Sequence, residues 1–267
     1  MIIRTDKKFK LEEINPFSNR KYDESWVYIE ITDTDKFSIL DKTEYGLFQV
    51  YVSKKCFDWE WRLMDFIGYE SDYNKNIIIK ISDEDYSLAE NMYQGHSYKD
   101  SFIRAYEPKV LIHSTTKDNY ESILNMGKLM SWNRLKIKGI ITEQEPIGFL
   151  LGDHKEYRDY IMFSEGGVGS EIVVNSKQHN EIIMDINSEY EPGARLYFAT
   201  EEIAKDGKLI RDGLHYKVKN ELDLKRNIIW VATTSNVSVE SGVYTPLNFA
   251  NAADEQFRNH KIAKRKI

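Results

Sequence analysis

Residues 110–129 read Val-Leu-Ile-His-Ser-Thr-Thr-Lys-Asp-Asn-Tyr-Glu-Ser-Ile-Leu-Asn-Met-Gly-Lys-Leu. A short apolar strand ends at His113, passes through Ser114, Thr115 and Thr116, and enters a one-sided helix. Tyr120, Ile123 and Leu124 fall at i, i+3 and i+4, which is one face of an α-helix. Thr115 or Thr116 can accept from the free N–H groups at the helix start. Gly127 can take the left-handed conformation that closes the helix. The strand thus delivers a histidine and hydroxyls to the mouth of a helix, where a polar ligand can be gripped.

Outward from this segment the chain reads as many short strands and a few helices. Trp26–Thr32, 47–53 and 76–82 are rich in β-branched and aromatic residues and are expected as strands. Ser82-Asp-Glu-Asp followed by Tyr86, Leu88, Ala89 and Met92 predicts a capped helix. Gly95-His-Ser and Glu107-Pro108 interrupt the pattern, which puts a soft boundary near residue 105. Further strands are expected at 159–163, 171–174, 181–186, 194–198, 214–218 and 227–233. The fold class is α+β, with a small α+β accessory domain at 1–105 ahead of a C-terminal domain at 106–267.

Apolar residues make up 41% of the chain and aromatic residues 13%, enough to build a core. No apolar run approaches the ~20 residues that span a bilayer, and the N-terminus lacks the apolar segment of a signal peptide. Cys56 stands alone, so neither an internal disulfide nor a cysteine-rich zinc site is available. The expected compartment is the cytoplasm, with no membrane partner. A net charge of −6 argues against a broadly basic nucleic-acid binder but leaves room for a local basic groove. Positive charge gathers at Lys7, Lys8 and Lys10, from Lys128 to Lys138, and at Lys261, Lys264, Arg265 and Lys266. That tail reads most simply as a solubilising end.

The pattern H-x-T, short helix, G-x-L resembles the first motif of the H-type ADP-ribosyltransferases. That group includes diphtheria toxin, the poly(ADP-ribose) polymerases and the DarT-type enzymes that modify DNA. The resemblance implies a split β-sandwich with short helices and NAD in the cleft between two facing sheets. By it, His113 bonds a ribose hydroxyl of NAD, backbone groups at Ser114 hold the nicotinamide carboxamide, and Thr115 supports the loop. The family often carries Gly where Ser114 stands. From the motif alone, a strand end and helix cap with a satisfied core histidine is an equally good reading.

The second family motif is a strand whose aromatic residue packs on nicotinamide. Asp159-Tyr160-Ile161-Met162-Phe163-Ser164-Glu165 and Arg195-Leu196-Tyr197-Phe198-Ala199-Thr200 both resemble it. Tyr160 is preferred narrowly, because it lies nearer the His motif and precedes Gly166-Gly167-Val168-Gly169, a rim of conformationally free residues. Tyr197 is the other choice. The third motif is a glutamate opening a late strand, and Asn220-Glu221-Leu222-Asp223-Leu224 resembles it. Nicotinamide departs through an oxocarbenium-like state, which a fixed carboxylate stabilises, and the same group can accept the acceptor's proton. Glu221 takes that role, with Glu165 and Glu240 in reserve. Arg134 occupies a place comparable to a functional arginine of DarT-type members, and guanidinium geometry suits a phosphate.

Other chemistries are not supported. There is no G-x-x-x-x-G-K-[ST] loop, no H-E-x-x-H helix and no G-x-S-x-G elbow. His154, His179 and His215 lack metal-ligand spacing, and no metal is expected. The resemblance implies transfer of ADP-ribose from NAD to a macromolecule, nucleic acid first and protein next, in a toxin, phage-defence or regulatory setting with an antitoxin or regulatory partner. The rival reading is a non-catalytic module that uses the same fold to bind a nucleotide or a partner.

Overall fold

Val27 and Ile29 occupy one face of Trp26–Thr32, Trp26 and Tyr28 the other, and all four are buried. Apolar residues on both faces suit a strand that is covered on both sides. The computed structural model describes residues 1–5, 14–15, 18–34, 39–42, 48–103, 108–141, 145–150 and 153–264. Lys7, Lys8, Lys10, Leu47, Glu107, Arg265 and Lys266 lie outside them. The chain divides into two units. One comprises Met1–Ala105 with Leu151–His154 and Ile210–His215, and the other comprises Tyr106–Leu150, Lys155–Leu209 and Tyr216–Ile267. The two late returns to the first unit leave no local mark in the sequence.

The first unit carries β1 (Ile2–Thr5), β2 (Trp26–Thr32), β3 (Ile39–Lys42), β4 (Phe48–Ser53) and β5 (Asn76–Lys80) in one sheet, ordered β1-β5-β2-β4-β3. Neighbours from β1 to β4 run parallel, and β3 joins the edge antiparallel. Helix α1 (Trp59–Asp72) makes the crossover from β4 to β5 that a parallel arrangement requires. Its Leu63, Phe66 and Ile67 bury against Val27, Ile29, Val50, Val52, Ile77 and Ile79. Helix α2 (Asp83–Met92) starts where the sequence places it, with Ser82 Oγ accepting the Asp85 N–H at 3.1 Å. Only Ala89 of its apolar residues is buried.

The second unit contains β6 (Val110–Thr115), α3 (Lys117–Met126), β7 (Lys128–Met130), α4 (Trp132–Ile137), β8 (Tyr160–Phe163), α5 (Gly169–His179), β9 (Ala194–Ala199), α6 (Thr200–Lys205), β10 (Tyr216–Lys219), β11 (Glu221–Asp223), β12 (Ile228–Ala232) and α7 (Pro246–Lys264). Strand β9 lies between β6 and β12, antiparallel to both. Strands β8 and β10 pair antiparallel, as do β7 and β11. One isolated bridge, Ile112↔Ser164, links β6 to the chain just past β8. Ile112, Val174, Tyr197, Phe249, Ala253 and Phe257 form a core that draws on β6, α5, β9 and α7. Both units mix α and β, the first around one five-stranded sheet and the second around several small ones.

Three local expectations change. Residues 171–174 were expected as a strand but lie in α5, where Glu171, Val174 and Asn175 are buried at i, i+3 and i+4. The helical period outweighs the β-branched Ile-Val-Val. Residues 181–186 form no strand. Leu124 is exposed, because α3 buries a narrow stripe through Ile123. Gly127 has φ 68° and closes α3 as its sequence implies. Among the described residues no helix is long and apolar enough to cross a membrane.

Gly193 precedes β9 where the backbone of 115–117 passes. A Cβ there would stand 2.1 Å from Thr115 O and 2.6 Å from Lys117 N. Gly193→Ala must therefore displace the main chain behind His113, at about 3 kcal/mol, the upper end of ordinary overpacking. Gly169→Ala meets open space at the start of α5 and should cost nothing or stabilise slightly. Urea unfolding of the two variants checks this, and equal midpoints would contradict the close approach.

Candidate functional site

The His113 strand is anchored on its β8 side by one pair of bonds. Ile112 N–H donates to Ser164 O at 2.8 Å, and Ser164 N–H donates to Ile112 O at 2.9 Å. Backbone groups alternate sides along a strand, so those of His113 face β9 and those of Ser114 face β8 again. The pairing does not continue. Met162 O, which lies opposite Ser114 in that register, is instead 2.9 Å from His113 Nδ1. Among the described residues the ladder opens just beyond the bridge, and the Ser114 N–H and C=O lie on the side of β6 that faces this opening.

A carbonyl can only accept, so His113 Nδ1 carries the proton in this bond and Nε2 keeps a lone pair. Burial holds the His113 pKa below its ordinary value, with Lys177 acting in the same direction and the Met162 carbonyl opposing. The ring is therefore neutral at pH 7 and presents an acceptor. It meets Phe163 edge-on at 6.0 Å, and Phe163 meets Phe198 at 5.4 Å. These contacts fix the ring plane.

Behind Ser114 lies a buried ionic cluster that the sequence reading did not find. Arg195, on β9, has no exposed surface. Its Nη1 donates to Glu171 Oε1 at 3.0 Å and to Ser170 Oγ at 3.1 Å. Its Nε and Nη2 donate to Asp254 Oδ1 and Oδ2 at 3.0 and 3.1 Å, and Nη2 also donates to Gly167 O at 3.0 Å. Ser114 Oγ and Tyr190 OH both donate to Glu171, while Tyr197 OH donates to Asp254 at 2.7 Å. Burial opposes the charge on Arg195, but Glu171 and then Asp254 outweigh it and hold the guanidinium protonated. Burial, followed by Glu171, pushes the Tyr190 hydroxyl far above its ordinary range, so it remains a donor. A charged residue inside Ala-Arg-Leu-Tyr-Phe-Ala, an otherwise apolar strand, was the available signal, since a buried charge demands a partner.

Thr115 is buried, and Thr116 takes the N-cap position of α3 without a side-chain cap bond. A groove of about 1250 Å³ begins at Thr116 and is bordered by Lys117, Lys177, His179, Tyr190 and Tyr244. Asp118, Glu121, Glu189 and Glu191 share that border. Four carboxylates beside two lysines make the groove as a whole no anion trap.

Glu221 and Arg134, read as the catalytic pair, come together. Arg134 Nε is 3.7 Å from Glu221 Oε2, and Lys128 Nζ donates to Glu221 Oε1 at 3.0 Å. Lys128 above all, with Arg134 and Lys138 behind it, holds the Glu221 carboxyl below its ordinary pKa. The bonds and ion pairs of Glu221 and of His113 share no partner. Trp132 starts α4, with Lys136 Nζ 4.6 Å from the ring centroid and the Arg158 guanidinium 5.7 Å away.

Tyr160 is buried on β8, with Lys217 Nζ 4.7 Å from its ring centroid. Tyr197 is also buried and stacks on Phe257 at 4.5 Å. Glu165, just past β8, and Glu240, in the loop before α7, are both exposed. No group of three or more His, Cys, Asp or Glu able to hold a metal occurs among the described residues. No family model, curated protein or solved structure matches this chain.

A lowered His113 pKa has a stability consequence of definite sign. The unfolded ring takes up its proton near 6.5 and the folded ring only below that. The stabilisation is therefore complete above pH 6.5 and is lost as pH falls from there toward the folded value. His113→Gln removes this titration. Urea unfolding at pH 7.5, 6.5 and 5.5 should give a shallower loss of stability in His113→Gln than in the wild type. Parallel pH profiles would mean that His113 titrates alike in both states.

Proposed function

We propose that the second unit is an H-type ADP-ribosyltransferase domain that holds NAD at the opening beyond the Ile112–Ser164 bridge and transfers ADP-ribose to a macromolecular acceptor. The observation that carries this reading is the break in the ladder past the Ile112–Ser164 bridge, which leaves the backbone N–H and C=O of Ser114 on the β8 side beside a neutral His113. A carboxamide offers one acceptor and one donor group, which complement that pair. His113 Nε2 accepts from a ribose hydroxyl, and Thr115 supports the turn. The parting of β6 from β8 supports reading these sheets as the split β-sandwich of that family.

In the reaction the bond from ribose C1′ to the nicotinamide nitrogen breaks, and the acceptor's nucleophilic atom bonds to C1′. Glu221 is assigned to stabilise the positive charge that develops there and to take the acceptor's proton. Lys128 and Arg134 keep it ionised and fix its orientation. Tyr160 is assigned as the aromatic neighbour of nicotinamide.

Nucleic acid is the acceptor this reading favours. Residues 122–142 contain Lys128, Arg134, Lys136 and Lys138 and no carboxylate, and Trp132 adds a ring able to stack on a base. A second reading, the non-catalytic nucleotide- or partner-binding module, draws on a different observation. Glu221 already has two cationic partners and Tyr160 is already covered, so neither is poised for NAD without rearrangement.

Two measurements separate these readings. His113→Ala should fold and weaken NAD binding by ~0.5–1.5 kcal/mol, the worth of one hydrogen bond, in calorimetry. Unchanged affinity in the folded variant removes His113 from the site. Glu221→Gln should lower nicotinamide release ~10²–10³-fold with NAD affinity preserved, as for a group acting mainly in the transition state. A dead Glu165→Gln beside an active Glu221→Gln would move the carboxylate to Glu165. A wild type that binds NAD but releases no nicotinamide with any DNA, RNA or protein acceptor would favour the binding module.

The acceptor has its own test. Affinity for single-stranded DNA or RNA should fall steeply with added salt, and Lys136→Ala with Lys138→Ala should flatten that slope. Label from NAD found on protein alone, surviving nuclease and lost to protease, would reject a nucleic-acid acceptor.

A further inference from the structure

Ser114 borders the opening in the ladder, and its side chain is tied to the same buried ions that hold the 166–169 turn. Glu171 accepts from Ser114 Oγ. Arg195, bonded to Glu171 at 3.0 Å, reaches the turn through Gly167 O at 3.0 Å. Gly167 has φ 71° and Gly166 φ 130°, conformations that glycine adopts without cost and that do not fix the turn by themselves. Its anchorage therefore comes from Arg195 and from the start of α5, where the Glu171 and Ile172 N–H groups donate to Val168 O at 3.0 and 3.1 Å. Arg195 is in turn clamped by Asp254 of α7.

Glu171 accepts from three side chains at once, Ser114, Tyr190 and Arg195, with 1% of its surface exposed. Packing alone would not require a carboxylate at this point, because two apolar residues in place of an internal ion pair are often neutral or stabilising. An ionic link does something that an apolar one does not: it fixes the direction of a hydroxyl and a carbonyl.

We propose that Glu171 is a positioning residue for the candidate NAD site: it holds the Ser114 hydroxyl and, through Arg195, the Gly167 carbonyl, and so fixes the β6 edge at the opening. The assignment takes its chemical meaning from the NAD reading. The mechanical part stands by itself and can be measured without NAD.

The experiment compares wild type, Glu171→Gln, Ser114→Ala and Ser114→Thr by residue-resolved amide hydrogen exchange without ligand, and then by the NAD dependence of nicotinamide release. In Glu171→Gln the Ile112 and Ser164 amides, whose bonds close the throat of the opening, should exchange about tenfold faster. The Leu222 amide in β11 should keep its rate. KM for NAD should rise about tenfold with kcat within twofold. Ser114→Ala should reproduce the KM effect, and Ser114→Thr, which keeps the hydroxyl, should restore it. Unchanged exchange at Ile112 and Ser164, or equal acceleration at Leu222, would overturn the proposal and leave Glu171 as a support for α5 alone. If Glu171→Gln does not fold, the Ser114 pair is read against the same criteria. A wild type that neither binds NAD nor releases nicotinamide ends the NAD reading, while the exchange rates still decide whether Glu171 fixes the β6 edge.

Discussion

The second unit is organised around one guanidinium that cannot reach water. Arg195 points from the middle strand of its sheet into the interior, and a bare charge in that position is prohibitive. The chain supplies Glu171 from α5 and Asp254 from α7, so satisfying one charge places two helices against one strand. The arrangement holds one positive and two negative groups, and Tyr190, Tyr197 and Ser114 donate to the remaining carboxylate lone pairs. A buried cluster of this kind specifies one packing more than it adds stability, since desolvation offsets much of the attraction. Loss of Arg195 leaves both carboxylates without their counter-charge, whereas loss of either carboxylate leaves Arg195 paired with the other.

That constraint has a functional side. Strand β6 is held on its β9 side by a full ladder and on its β8 side by one bridge. Past the bridge, a histidine side chain takes the carbonyl that a continuing ladder would use. The β6–β8 ladder stops there, with the Ser114 backbone groups on its β8 side and a neutral imidazole next to them. Elsewhere on the unit, cations crowd around Glu221 and Trp132. Under the proposed reading, the neutral, hydrogen-bonding opening takes a carboxamide and ribose and the cationic surface a phosphate chain.

What the sequence disclosed follows the range of the forces involved. The helix Lys117–Met126 and the left-handed Gly127 are set by neighbours a few residues apart and stand in the structure as read, while the strand expected to end at His113 runs on to Thr115. Glu221 and Arg134 were singled out separately through the family motifs, and the structure brings those two side chains together. Glu171 was misassigned to a strand because Ile-Val-Val outweighed the i, i+3, i+4 spacing of its buried face. Its importance was invisible locally, since its partner Arg195 lies in another element and Asp254 in a third. The choice between Tyr160 and Tyr197 was equally beyond local reading. Both rings are covered by residues distant in sequence, Lys217 for one and Phe257 for the other.

The role proposed for the Ser114 backbone is to receive the nicotinamide end of NAD. Titrating NAD into isotope-labelled protein while following the Ser114 amide resonance tests it most directly. Ser114 should then show a saturable shift, accompanied by His113 and tracking one dissociation constant, with nicotinamide alone reproducing the Ser114 part at higher concentration. A Ser114 resonance that stays fixed while NAD saturates other residues would place the ligand elsewhere and contradict the claim.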